Sequence, residues 1–257
     1  MTDKSLSAIK TVIVDLDRTL LHTDKTLSPY TVSVLGRCRE QGIQVMVATA
    51  RPLRTALPYC DQLAVDAMTV SNGARVICGK NRTEFGICQT SAERLLNALL
   101  AHSSLKITLE TGDEAYSNLP IEEYETVLTD DLIGTARREG ALKILVHREA
   151  EGTLAIVENA LSEDLYYTVA HGTLIQIMSR EATKWNGIRA MLSAGGSSPE
   201  VTAYFGDDND DREPICLCGL GVAVANGLPE IKAAADRITA SNDEDGVAAF
   251  IEQYLLK

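Results

Sequence analysis

The sequence has few basic residues for its content of acidic ones. Its 257 residues include 24 lysines and arginines against 36 aspartates and glutamates, which gives a net charge of −12. A chain of this charge is repelled by the phosphates of nucleic acids and by anionic lipid surfaces. We therefore expect neither nucleic acid nor a membrane among its partners.

Long apolar runs are missing as well. No segment approaches the roughly 18 consecutive apolar residues that span a bilayer, and the first ten residues, MTDKSLSAIK, hold no apolar run of signal-peptide length. We therefore expect a cytoplasmic protein. The hydrophobic content of 45% is enough for a sizeable core, and the length suits one large domain or two moderate ones.

Cysteine motifs are also lacking. The six cysteines include no C-x-x-C and lie mostly in apolar stretches, so we expect reduced core residues. The pair Cys216 and Cys218 has no second Cys/His pair at zinc-site spacing, which favours packing over metal binding. No internal repeat, low-complexity run or flexible linker is evident.

The most informative stretch that is present is TVIVDLDRTLL, from Thr11 to Leu21. Its first four residues are β-branched and apolar, which predicts a strand buried on both faces of a parallel sheet. Asp15 and Asp17 follow at the end where open α/β sheets bind ligands, and aspartate is a known covalent acceptor of phosphoryl groups. Two such acids taken alone are more often turn caps, so other parts of the chain must decide.

A helix and a second strand follow the first strand. Ser28 and Pro29 are typical of a helix N-terminus, and Gly42 ends that helix. The apolar run from Ile43 to Ala48 predicts a second buried strand, which ends at Thr49-Ala50-Arg51-Pro52. This order predicts a βαβ unit with parallel strands.

The third predicted strand, Ala67 to Val70, comes after a shorter helix that runs through Leu57 and is limited by Pro58. The strand ends at Ser71-Asn72-Gly73, and Asn-Gly between apolar stretches is a hairpin signal. Residues 75–78 are therefore expected to run antiparallel to it.

The pattern changes over residues 82–182. Strand-like segments occur in runs there, together with two predicted helices. One covers residues 94–101 and follows the capping box Thr90-x-x-Glu93, and the other covers residues 154–161. Runs of strands with two helices are typical of an α+β layer.

The alternation of helices and buried strands resumes at Thr183, with a predicted helix over residues 184–192 and a predicted buried strand over residues 201–205. We therefore predict a core built from residues 1–81 and 183–257. We expect residues 82–182 to form a second, α+β domain inserted into that core.

Polar groups stand at three of the predicted strand ends. These are Asp15 and Asp17, then Thr49 and Arg51, and finally the cluster GDDNDD over residues 206–211. The ends of parallel strands share one edge of the sheet, so the groups can converge.

Several carboxylates in one cleft repel each other unless a divalent cation neutralises them, and oxygen ligands select Mg²⁺. The sequence predicts a magnesium site made of Asp15, the Asp17 backbone carbonyl and Asp207, with Asp211 at second rank. A solvated acidic loop or a calcium site would be the alternative, but the cluster lacks the Gly and Glu positions of an EF-hand loop.

Four motifs in order resemble those of haloacid dehalogenase (HAD) superfamily phosphatases of the Cof-like IIB subgroup. DLDRTLL resembles D-x-D-G-T-L-L, TARP resembles T-G-R-P, Lys184 stands near Gly187, and residues 206–211 resemble G-D-x-x-N-D. The final segment from Leu220 onward also resembles the ending of that subgroup. The resemblance covers essentially the whole chain and implies an α/β fold, a Rossmann-like doubly wound parallel sheet with an inserted α+β cap.

The resemblance also implies roles for single residues. Asp15 would be the nucleophile that forms an aspartyl-phosphate, and Asp17 the general acid and base. Thr49 would donate a hydrogen bond to the phosphoryl oxygens and Lys184 would neutralise them, as phosphoryl transfer requires. Substrate-side positions of lower rank are Arg51, Asn72 and Asp210.

Two positions depart from the family pattern. Arg18 replaces the usual glycine after the second aspartate, and Asp210 stands where asparagine is usual. A carboxylate near a substrate phosphate needs a compensating cation. We therefore predict that Arg18 and Asp210 form a compensating pair.

The function implied by the resemblance is a Mg²⁺-dependent phosphatase for small phosphomonoesters, such as sugar phosphates or phosphorylated cofactors, with the insert as a lid. A phosphomutase of the same superfamily and a catalytically silent phosphate-binding regulator are the alternatives. The expected partner is a small-molecule phosphate ester, and the expected state is a monomer or homodimer.

Overall fold

The computed structural model describes residues 6–148, 152–170 and 172–256. Its strands, in chain order, are β1 (Thr11–Val14), β2 (Gln44–Ala48), β3 (Ala67–Val70), β4 (Arg75–Cys78), β5 (Asn81–Glu84), β6 (Ile107–Glu110), β7 (Ala115–Ser117), β8 (Val127–Leu128), β9 (Lys143–His147), β10 (Leu165–Ala170), β11 (Leu174–Ser179), β12 (Thr202–Gly206), β13 (Leu220–Val224) and β14 (Arg237–Thr239). Its α-helices are α1 (Pro29–Glu40), α2 (Leu53–Leu63), α3 (Gln89–Leu100), α4 (Leu132–Glu139), α5 (Thr153–Ala160), α6 (Lys184–Ala194), α7 (Arg212–Leu217), α8 (Pro229–Ala234) and α9 (Gly246–Tyr254).

The chain divides into two compact units. Unit 1 consists of the described residues within Met1–Arg51, Thr55–Thr83 and Thr183–Lys257. Unit 2 consists of the described residues within Pro52–Arg54 and Glu84–Ala182.

Unit 1 is built on the eight-stranded sheet, in the order β14-β13-β12-β1-β2-β3-β4-β5. The neighbours from β14 to β3 pair in parallel, and β4 runs antiparallel to β3. Every residue of β1, β3, β12 and β13 is buried, as expected for strands with both faces covered. These observations confirm the predicted α/β class, the parallel sheet and the antiparallel return after Asn72-Gly73.

The register of the central strands decides which residues meet at the edge of the sheet. Val14 at the end of β1 lies beside Val47 of β2 and Phe205 of β12. The residues that follow these three strands therefore leave the sheet at nearly the same level. Their side chains form the candidate site described below.

Unit 2 has a six-stranded sheet in the order β10-β11-β9-β6-β7-β8. Apolar residues alternate along its strands and pack with apolar side chains of α3, α4 and α5 in one core. The intervening positions carry the buried polar residues Thr108, Glu110, Lys143 and His147. The sheet therefore has one apolar face and one face with buried polar groups.

Three helices differ from the prediction. Helix α2 continues to Leu63 with Pro58 inside it, because the apolar side chains of Ala56, Cys60 and Leu63 are buried and offset the one hydrogen bond that proline removes. Helix α3 begins at Gln89, and the predicted capping box is wrong. Glu93 accepts hydrogen bonds from the Arg137 guanidinium instead, at 2.9 and 2.6 Å.

The third difference is helix α4, which the prediction of two helices in the insert missed. This helix has only 8 residues and few apolar ones, and Gly134 lowers its helix propensity. Its start is fixed by Asp131, whose side chain accepts a hydrogen bond of 2.7 Å from the Gly134 N–H.

All six cysteines are free thiols. Cys88 and Cys216 are exposed, so the expectation of core residues is wrong for these two. Within the described ranges, no helix has the length and apolar content needed to cross a bilayer.

Candidate active site

Asp15 and Lys184 form the centre of the site. Asp15 is the first residue after β1 and is only 5% exposed. The Lys184 ammonium, also buried, donates hydrogen bonds to Asp15 Oδ1 at 3.1 Å and to Asp211 Oδ1 at 2.6 Å. The structure therefore brings together the predicted nucleophile and the predicted phosphate-neutralising lysine.

Two glycines let helix α6 carry Lys184 into this position. A Cβ on Gly187 would lie 2.3 Å from Thr69 Oγ1 and 2.7 Å from the Cα of Gly73. Gly73 itself has φ +92°, and a Cβ there would lie 1.9 Å from the Thr183 carbonyl oxygen. Larger residues at either position would push the start of α6 away from the sheet, since Thr183 is the N-cap of this helix.

Asp211 organises the loop after β12. Its Oδ1 accepts hydrogen bonds from Lys184 and, at 2.5 Å, from the Tyr204 hydroxyl. Its Oδ2 accepts from the backbone N–H groups of Asp207 and Asp208, at 2.8 and 3.1 Å. With four donors on its two oxygens, Asp211 is better placed to position the lysine and the loop than to bind a metal directly.

Asp15, Asp207 and Asp211 form a buried acidic cluster. One oxygen of each lies within 4.8 Å of the others. Burial, followed by the neighbouring carboxylates, raises the pKa of Asp15 well above its ordinary value and that of Asp207 to about 6. Although burial acts against it, the carboxylates of Asp15 and Asp211 raise the pKa of Lys184, which stays charged.

Three carboxylates around one ammonium leave negative charge that a divalent cation would neutralise. The donor set consists of oxygens alone, which fits Mg²⁺ better than a softer metal. Asp15 and Asp207 are the side chains best suited to hold it. Asp207 Oδ1 already accepts a hydrogen bond of 2.9 Å from Thr19, which orients the carboxylate.

The Asp17 carboxylate does not join this cluster. Arg51 donates to it in bidentate fashion, with Nε at 2.6 Å and Nη2 at 2.8 Å, and Lys25 Nζ donates at 2.8 Å. Burial acts in the opposite direction, but these hydrogen bonds lower the pKa of Asp17 to about 2. A metal contact from Asp17 would have to come from its backbone carbonyl, as the sequence predicts.

Thr49 and Asn72 lie at the ends of β2 and β3. Thr49 is buried, and its Oγ1 accepts a hydrogen bond of 3.2 Å from the Arg51 N–H. The Asn72 side chain donates to Asp210 Oδ2 at 2.9 Å. The predicted substrate-side residues therefore lie in one continuous set along the sheet edge.

The predicted pair of Arg18 and Asp210 is wrong. Arg18 Nε lies 3.7 Å from Asp207 Oδ2 instead, and Asp210 is satisfied by the neutral amide of Asn72. The backbone explains the difference, because Arg18 has φ +59° and its carbonyl accepts a hydrogen bond of 2.7 Å from Asn226. This tight turn holds Arg18 next to the Asp207 side of the site.

Several residues of the site were not found from the sequence: Thr19, Lys25, Tyr204 and Asn226. Thr19 lies inside the quoted motif DLDRTLL and could have been found there. The other three have no local signal, because their roles depend on partners 7 to 208 positions away in the chain, as for Tyr204 with Asp211 and Asn226 with Arg18.

The comparisons with known proteins agree with this geometry. A family model for haloacid dehalogenase-like hydrolases matches residues 12–251. The chain is 27% identical to the 5-amino-6-(5-phospho-D-ribitylamino)uracil phosphatase of Bacillus subtilis over 261 residues, which cover 95% of this chain and 96% of the relative.

Two solved structures share the fold. A haloacid dehalogenase-like hydrolase from Bacteroides thetaiotaomicron has a TM-score of 0.86 and 24% identity, covering 95% of this chain and 99% of the other. A HAD subclass IIB sugar phosphatase has a TM-score of 0.80 and 19% identity, covering 96% of this chain and 100% of the other.

Proposed function

This chain belongs to the haloacid dehalogenase-like hydrolase family, and we propose that it is a Mg²⁺-dependent phosphatase that hydrolyses small phosphomonoesters through an aspartyl-phosphate. The observation that carries the proposal is the buried contact of 3.1 Å between Lys184 Nζ and Asp15 Oδ1 at the end of β1. An anionic carboxylate held by an ammonium is a suitable nucleophile for a phosphoryl group.

In the first step, an Asp15 oxygen forms a bond to phosphorus while the bond from phosphorus to the ester oxygen breaks. Asp17 gives its proton to the departing alcohol. The Lys184 ammonium and the Thr49 hydroxyl donate hydrogen bonds to the phosphoryl oxygens, whose charge is spread in the transition state.

In the second step, Asp17 takes a proton from a water molecule as the water oxygen attacks phosphorus. The bond between Asp15 and phosphorus breaks, inorganic phosphate leaves and the Asp15 carboxylate is restored. Asp17 must exchange a proton in both steps. When Oδ2 carries the proton, its contact with Arg51 Nε has to open, while Oδ1 still accepts from Arg51 Nη2 and Lys25 Nζ, which keep the carboxyl group oriented.

Asp15, Asp207 and the Asp17 carbonyl would hold the Mg²⁺, while Asp211 positions Lys184 and the loop. When bound, the ion would neutralise the clustered carboxylates and the phosphoryl charge. The acidic cluster and its oxygen donors support this assignment.

Unit 2 is proposed as the cap that selects the substrate and excludes water. One relative is a phosphoribitylaminouracil phosphatase and one structural neighbour is a sugar phosphatase, and both names point to phosphate esters of sugars or sugar alcohols. Sugar phosphates and phosphorylated cofactors are therefore the proposed substrates.

The cytoplasmic location and the monomeric or homodimeric state of the protein stay predictions.

The experiment is a phosphate-release assay with p-nitrophenyl phosphate and a panel of phosphorylated metabolites, with Mg²⁺ and with a chelator. We expect hydrolysis that depends on the metal and is fastest with sugar or sugar-alcohol phosphates. Binding of the esters without phosphate release would indicate a silent regulator, and an isomeric sugar phosphate as product would indicate a mutase.

A further inference from the structure

The Arg51 guanidinium is held from two sides. On one side it donates two hydrogen bonds to Asp17. On the other side its central carbon lies 4.9 Å from the centre of the Tyr59 ring, and its Nη1 donates to the Thr55 carbonyl at 3.4 Å. Thr55 and Tyr59 are four residues apart on α2 and therefore share a face of this helix.

Tyr59 is also linked to the second cation on Asp17. Its hydroxyl donates a hydrogen bond of 3.0 Å to the Lys25 carbonyl oxygen. Lys25 has φ +68°, a conformation that a non-glycine residue keeps only when its surroundings hold it. From this turn its ammonium reaches Asp17 Oδ1 at 2.8 Å.

Both cations that orient the Asp17 carboxylate thus depend on one aromatic side chain. The ring supports Arg51 through a cation–π contact, and the hydroxyl supports the turn of Lys25. We propose that Tyr59 is a positioning residue that aligns Asp17 for proton transfer to the leaving alcohol. The inference rests on the proposed function, because it assigns Tyr59 to the same reaction.

Dependence on the leaving group tests this role. An alkoxide is a poor leaving group and needs a well-placed acid, whereas p-nitrophenolate leaves without much help. Because kcat/KM reports the steps up to alcohol release, it isolates the proton donation from the later attack of water.

The variants are Tyr59→Phe, which keeps the ring and removes the hydroxyl, Tyr59→Leu, which removes both contacts, and Lys25→Met. For Tyr59→Leu we expect kcat/KM to fall about tenfold or more with glycerol 2-phosphate and less than about threefold with p-nitrophenyl phosphate. Tyr59→Phe and Lys25→Met should show the same selective loss, at about threefold.

Tyr254→Phe is the matched control, since Tyr254 is an exposed tyrosine at the end of α9. It should leave both substrates at the wild-type rate. If Tyr59→Leu does not fold, which circular dichroism and thermal unfolding would show, Tyr59→Phe and Lys25→Met decide the question.

A loss of equal size with both substrates, or none with either, would overturn the positioning role. With an active wild-type enzyme, that result leaves the proposed function intact. A wild-type protein that hydrolyses neither ester would overturn the proposed function, and the role of Tyr59 with it.

Discussion

Lys184 Nζ lies closer to Asp211 than to Asp15, at 2.6 Å against 3.1 Å. The lysine is therefore anchored by the acid that already receives three other hydrogen bonds, and it reaches the candidate nucleophile from that anchor.

Replacing Asp15 by Asn should abolish turnover without unfolding the protein. The amide of asparagine cannot accept a phosphoryl group. The substitution also replaces a buried carboxylate, whose pKa burial has raised, by a neutral group, so we expect the fold to be kept. Phosphate release measures turnover, and mass spectrometry of the wild type should trap the phosphoryl group on Asp15. An adduct on a different residue, or activity in the variant, would contradict the assignment.

Replacing Asp211 by Asn should lower the free energy of unfolding by about 3–5 kcal/mol, because it leaves the buried Lys184 ammonium with one anionic partner fewer. The NH₂ group of the asparagine would also point at hydrogen-bond donors, because both Asp211 oxygens accept hydrogen bonds in the wild type. Tyr204→Phe is the matched change, since it removes one donor to the same carboxylate, and should cost about 1 kcal/mol. Urea unfolding measures both values. Equal stability of the two variants would show that Asp211 does not organise the site.

Mg²⁺ affinity should fall as the pH drops below 6. Burial and then the Asp211 carboxylate raise the pKa of Asp207 from 3.8 to about 6, so a proton competes with the metal below that pH. The folded state binds this proton more tightly than the unfolded state. Without metal, the resulting stability is therefore fully present below pH 3.8 and is lost as the pH rises through about 6.

Titration calorimetry with Mg²⁺ at pH 5, 6 and 7.5 and thermal unfolding of the metal-free protein measure the two effects. Asp207→Asn is the control, and the stability of this variant should change less between pH 5 and 7.5 than that of the wild type. A Mg²⁺ affinity that is constant over this range would show that Asp207 is not a ligand.

Replacing Arg18 by Gly should raise the free energy of unfolding by up to about 1 kcal/mol, because glycine adopts φ +59° without strain. The guanidinium, 62% exposed and 3.7 Å from Asp207, contributes little as an ion pair. Removal of the guanidinium should raise the Mg²⁺ affinity a few-fold.

Because Asp210 contacts Asn72 rather than Arg18, the effects of Arg18→Gly and Asp210→Asn on the free energy of unfolding should be additive in the double variant. Thermal unfolding and titration calorimetry measure these effects. A lower melting temperature for Arg18→Gly, or a non-additive double variant, would contradict this prediction.

Replacing residues 84–182 by a short linker should leave unit 1 folded, because each unit has its own sheet and the central strands of the unit 1 sheet are buried. Selectivity among metabolites should collapse, while hydrolysis of p-nitrophenyl phosphate should suffer less. Circular dichroism and the substrate panel measure the outcome. A substrate profile identical to that of the full chain would show that unit 2 does not select the substrate.

The sequence by itself determined the order of the central strands and the edge of the sheet at which their polar residues meet. Apolar runs identified β1, β2 and β3, and the residues after β1, β2 and β12 were expected to converge because parallel strands end at one edge. The order of the motifs predicted Lys184, which lies beyond the insert in the sequence, and the acidic cluster predicted a site able to hold a metal ion. These features are local patterns, or follow from a rule about how such patterns assemble.

The tertiary structure alone decided which side chains pair. Asp17 meets Lys25 and Arg51 rather than the acidic cluster, Asp211 meets Tyr204, and Arg18 lies beside Asp207 and not beside Asp210. Such choices depend on distances of a few ångströms, which strand register, the close packing of α6 at Gly73 and Gly187, and turns with positive φ set jointly. Local propensity cannot encode them, because each partner is brought into reach by residues elsewhere in the chain.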